Sequence, residues 1–122
     1  MKPQIALTPD QMHELQSLGL DCSDASMCWI TTKVNDTRLA LRPEASRLLD
    51  EHLLLKLEYA YTLEDILRKF FMKIDWVPRV NKSMKWQSCR FGKYFYADTP
   101  LDAAFAMLKY AIKERPDKIK RL

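Results

Sequence analysis

Between Trp76 and Ala97, five cations (Arg79, Lys82, Lys85, Arg90 and Lys93) interleave with Trp86, Phe91, Tyr94 and Tyr96, and no acidic residue intervenes. Cations meet phosphates without sequence preference, and flat rings stack on unpaired bases. The pattern therefore offers single-stranded nucleic acid, or another polyanion, a basic aromatic hairpin to bind. Side chains alternate between the two faces of a strand, so the same spacing also describes a strand with one core face and a solvated row of lysines. The candidate binding residues are Arg79, Lys85, Trp86, Arg90, Lys93, Tyr94 and Tyr96.

The rings have a second use. Aromatic residues make up 11% of a 122-residue chain, more than one small core easily hides. Trp29, Trp76, Trp86 or the Tyr94 to Tyr96 cluster is then expected on the surface, where aromatic residues mark protein interfaces. The expected function is a non-enzymatic protein-interaction module whose partner is another protein or a second copy of the chain. Nucleic-acid binding is the alternative.

Other chemistries lack raw material. Gly19 and Gly92 are the only glycines, which leaves no glycine-rich loop to cradle a nucleotide phosphate. Cys22, Cys28 and Cys89 match no zinc-ligand spacing, and only His13 and His52 supply imidazoles. Cys22 and Cys28 lack the Cys-x-x-Cys spacing that activates a thiol, and no nucleophile is visibly paired with His13. No catalytic residue, metal or cofactor is predicted. Free thiols, the absence of a signal-peptide apolar region and the lack of any run of about 18 apolar residues point to a cytoplasmic protein away from membranes.

The elements that must position these residues are marked by caps and turns. Thr8-Pro9 opens a helix over about 9–18, with Met12, Leu15 and Leu18 on one face, and Gly19 closes it with a Schellman stop. Ser26 to Thr32 reads as a strand, Asn35-Asp36 as a turn, and Leu39 to Arg42 as a returning strand stopped by Pro43. Glu44 to Tyr61 reads as helix and then extended chain. Thr62 with Glu64 and Asp65 opens a helix over about 63–72. Met84 to Phe91 and Lys93 to Ala97 form a hairpin around Gly92, and Thr99-Pro100 opens a last helix over about 100–114, ended by Pro116. Strands joined by hairpins and interspersed with about three helices make the class α+β, in a single domain spanning 1–122. Its basic tail, about 115–122, is expected to be mobile and to serve solubility.

Three segments resemble a family of small uncharacterised proteins encoded in phage, prophage and chromosomal regions of gut bacteria (Bacteroides-like). They are Leu7-Thr8-Pro9-Asp10-Gln11-Met12-His13-Glu14-Leu15, continuing to Trp29; Tyr61-Thr62-Leu63-Glu64-Asp65-Ile66-Leu67; and Thr99-Pro100-Leu101-Asp102-Ala103-Ala104-Phe105-Ala106-Met107-Leu108-Lys109. The chain departs from that family at Phe71-Met72-Lys73-Ile74, where a Leu-Pro pair is usual. These matching positions are caps and core residues, so the resemblance implies origin and fold and carries no activity.

Overall fold

The structure, a computed structural model, describes residues 4–78 and 84–122. Its helices and two antiparallel three-stranded sheets form an α+β fold, the class expected from the element order. The chain divides into two compact units, residues 6–62 and residues 63–122, with Gln4 and Ile5 grouped with the second.

In the first unit, α1 (Pro9–Ser17) starts at a closed capping box. The Thr8 hydroxyl accepts the Gln11 amide at 3.2 Å, and the Gln11 side chain accepts the Thr8 amide at 2.9 Å. Gly19 takes φ +98°, its N–H reaches the Gln16 carbonyl, and the Leu20 N–H reaches the Leu15 carbonyl, which are the two bonds of a Schellman motif. Thr8→Ala leaves the Gln11 amide without its acceptor and is expected to lower stability by about 1 kcal/mol, read from the urea-unfolding midpoint. Thr8→Ser should stay within about 0.3 kcal/mol.

β1 (Met27–Thr32) is the central strand, paired antiparallel with β2 (Thr37–Leu41) on one side and β3 (Leu54–Ala60) on the other. One sheet face carries Cys28, Ile30 and Ala40, which pack with Ala45 and Leu48 of α2 (Arg42–Asp50) and with Leu54, Leu57 and Tyr59. On the other face the Trp29 indole N–H donates to the Leu7 carbonyl at 2.8 Å. The stretch after Pro43 thus resolves into helix and strand, adding a fourth α-helix to the expected three. Pro43 itself is reassigned: it sits in the first turn of α2, where a helix has no use for the missing N–H.

In the second unit, α3 (Leu63–Lys69) ends three residues before the expected Met72. Carbonyls at and beyond its end are satisfied from elsewhere: the Lys69 carbonyl accepts the Lys120 amide at 2.7 Å, and the Phe71 carbonyl accepts the Arg90 guanidinium at 2.9 Å. β4 (Lys73–Pro78) follows, a strand the sequence reading does not place. It lies at a sheet edge, where a terminal proline is tolerated. β5 (Met84–Arg90) is central and β6 (Lys93–Ala97) forms the other edge. The two strands are joined by Phe91 and Gly92 at φ +53° and +72°, the positive values that a type I′ turn requires.

α4 (Pro100–Glu114), capped by Thr99 through the Asp102 amide at 3.1 Å, lies on one face of this sheet. The buried Ser88 hydroxyl donates to the Ala103 carbonyl at 2.7 Å, and the Phe95 and Tyr110 rings meet at 6.0 Å. Ala103, Ala104 and Ala111 are fully buried, and such small side chains let helix and strand approach closely. Beyond α4, Pro116–Lys118 forms a single 3-10 turn, and the Lys120 amide is bonded to Lys69. The segment expected to be a mobile tail is therefore anchored to α3.

Candidate functional site

The register of the second sheet decides which candidate residues act together. Directly opposed residues of antiparallel strands share a face, and faces alternate along each strand. Trp76 opposes Trp86, Ile74 opposes Ser88, Ser88 opposes Phe95, and Arg90 opposes Lys93. Since Ser88 and Phe95 touch α4, Trp86, Arg90 and Lys93 belong to the helix-side face. Lys85, Tyr94 and Tyr96 belong to the opposite, open face. The predicted cluster is thus split between two surfaces, while Arg79 and Lys82 lie outside the described residues.

The open face is aromatic and balanced in charge. Tyr94 and Tyr96 of the edge strand β6 are 53% and 39% exposed. The two lysines of this face have acidic neighbours: Lys85 pairs with Asp98, and Lys73 lies 3.6 Å from Asp75. Tyr94 opposes Cys89, and its hydrogen bond with that thiol holds the Tyr94 hydroxyl above the usual phenol range. Asp98, which neutralises Lys85, was legible as the first acid after the basic run but has no visible role until the register is known.

The turn end of the hairpin is the second surface. Arg90 packs against two rings, its guanidinium carbon 4.3 Å from the centre of Phe70 and 4.5 Å from that of Phe91. Arg115, the residue after α4, lies 5.0 Å from the same Phe91 ring, and the Lys93 ammonium lies 5.6 Å from Tyr110. None of these three cations is ion-paired with an acid among the described residues. Arg115, Phe70 and Tyr110 are absent from the sequence-predicted set. The basic run at the end of the chain is the only signal that could have joined Arg115 to it.

Elsewhere, the histidine and thiol that the sequence singles out lie in the first unit. His13 Nε2 lies 3.3 Å from Glu58, which also meets Lys56 at 2.8 Å; the Lys56 hydrogen bond is the main cause holding the Glu58 carboxyl below its ordinary range. Burial pushes the Cys28 thiol up, away from the reactive thiolate. An open depression of about 320 Å³ in the first unit is lined by Val34, Leu48 and Leu53 together with the polar Thr32, Lys33, Asp36 and Arg38, the last bonded to Glu44 at 2.7 Å. Among the described residues no three His, Cys, Asp or Glu side chains gather as a metal site, and no helix is long and apolar enough to cross a membrane.

No family model matches the chain, and neither the curated proteins nor the solved structures contain a match.

Proposed function

We propose that the protein is a non-enzymatic protein-interaction module, of phage or mobile-element origin, that docks a protein partner or a second copy of itself through the open face of the β4–β5–β6 sheet. The origin rests on sequence resemblance alone. The function rests on one observation: this face presents Tyr94 and Tyr96 side by side on an edge strand, while its lysines are matched by Asp75 and Asp98. Interface centres are depleted in unbalanced charge and enriched in tyrosine, which buries much area for little lost side-chain freedom. An edge strand also carries unused ladder groups, so a docked chain gains backbone hydrogen bonds together with ring contacts.

Light scattering behind a sizing column, run over a range of protein concentrations, tests the reading alongside capture from a lysate at high salt. A concentration-dependent dimer, or a stoichiometric captured partner, is expected to survive high salt. The Tyr94→Ser/Tyr96→Ser variant should lose it with a drop in affinity of at least about 30-fold, the size typical of removing an aromatic hot spot. A strictly monomeric protein that captures nothing overturns the proposal.

A further inference from the structure

We propose that the turn end of the β5–β6 hairpin, together with the segment after α4, is a separate binding site for single-stranded polynucleotide. Phosphates would be held by Arg90, Lys93 and Arg115, with bases laid against Phe91 and Phe71. The site shares no residue with the open face and does not depend on that face docking a protein.

Three features carry this inference. First, the cations at this end are uncompensated. Lys85 and Lys73 on the open face have acids beside them, whereas Arg90, Lys93 and Arg115 face rings. Glu114 and Asp117 flank Arg115 in sequence, yet neither forms an ion pair with it. Arg90 gives one donor to the Phe71 carbonyl at 2.9 Å and retains others, and guanidinium donors resting beside a ring remain able to grip a phosphate. Second, an exposed ring sits among those cations: Phe91 is 48% exposed, and the neighbouring Phe71, whose carbonyl accepts from Arg90, is 72% exposed. Flat rings beside cations suit unpaired bases, and an acidic peptide offers them no flat counterpart.

Third, the fold holds Phe91 in an unfavourable conformation. It occupies the first central position of the type I′ turn at φ +53°, where asparagine is preferred and a bulky side chain is strained. A hairpin selected for stability alone would carry Asn-Gly there. Phe91 instead places a half-exposed ring within 4.5 Å of Arg90 and 5.0 Å of Arg115. The Lys120 amide bond to Lys69 then brings the last basic residues against the end of α3, next to the Phe70 ring on which Arg90 rests.

The test is fluorescence anisotropy of a labelled, short, mixed-sequence single-stranded oligonucleotide. Three phosphate contacts on a single strand predict a salt slope near −2, so affinity should fall about 20-fold when salt rises fourfold. Phe91→Asn installs the preferred turn residue. It should fold at least as well as the parent, by thermal unfolding, and yet bind about 10-fold more weakly through loss of stacking. Lys93→Gln, at an exposed position, should lower the magnitude of the slope by about 0.7, whereas Lys85→Gln on the open face should leave it unchanged. Absence of binding at low salt, a slope near zero, or Phe91→Asn binding as well as the parent each overturns the proposal. Displacement of the oligonucleotide by polyglutamate at equal charge overturns it as well, because the site would then select charge and not bases.

Discussion

Tyr61→Ala is expected to lower the unfolding free energy by about 3–5 kcal/mol, the largest loss from any single truncation in the first unit. Tyr61 is fully buried, its amide donates to the Met12 sulfur at 3.3 Å, and the neighbouring Leu7 amide donates to its carbonyl at 2.9 Å. Its hydroxyl donates to the Asp24 carboxylate and lies 3.2 Å from the Asp21 carbonyl. One side chain thereby joins α1, the end of β3 and the turn before β1. Burial first, and the Asp24 carboxylate second, push the hydroxyl far above the usual phenol range, so it stays protonated and donating throughout the pH range of the folded protein. Tyr61→Phe separates the two contributions. It keeps the ring volume and removes only a bond to a charged acceptor that is itself partly solvated, so a loss of about 1–2 kcal/mol is expected. Against a total stability of roughly 5–15 kcal/mol, the alanine variant should melt on the order of 10–20 °C lower while the phenylalanine variant stays folded. Equal losses from the two variants would show that the hydroxyl network, and not ring packing, holds this junction.

How much of this was legible depends on whether the signal was local. Thr8, Gly19, Thr99 and Gly92 each fix a few adjacent dihedrals, and the elements they bound appear where the caps and turns place them. Elements that depend on distant partners were harder to read. β4 exists because β5 pairs with it, and α3 ends early, at the point where Lys120 and Arg90 supply donors to its final carbonyl and to the chain just beyond it. Pro43 misleads for the same reason: a missing N–H suits the end of a strand and the start of a helix equally, and only packing of Ala45 against Cys28 and Ile30 decides between them. The candidate site was half legible. The residue types of the basic run were apparent, but the sequence reading puts Phe91 in the strand and Gly92 alone in the turn. The two-residue turn at Phe91-Gly92 is what sets Arg90 opposite Lys93 and hence every face assignment downstream. What the sequence could not supply was the arrival of Arg115 and Tyr110 from α4, which turns a mixed strand into one balanced face and one uncompensated end.

The same convergence makes Phe70 the residue whose loss should be felt most in the second unit. Its ring is fully buried, it meets Phe91 edge-on at 6.4 Å and 65°, and it supports the Arg90 guanidinium at 4.3 Å. Phe70→Ala is expected to cost about 3–5 kcal/mol through the cavity it leaves. Phe70→Leu should cost roughly 1.5 kcal/mol, since most of the buried apolar volume is kept and the aromatic face is lost. A double-mutant cycle isolates that face. If the ring holds Arg90 by attraction between the guanidinium and the π-system, Phe70→Leu combined with Arg90→Gln should destabilise by about 1 kcal/mol less than the sum of the single changes. Additivity to within about 0.3 kcal/mol would mean that the Phe70 ring does not hold Arg90. The Phe91 ring and the Phe71 carbonyl would then place the guanidinium without help from Phe70.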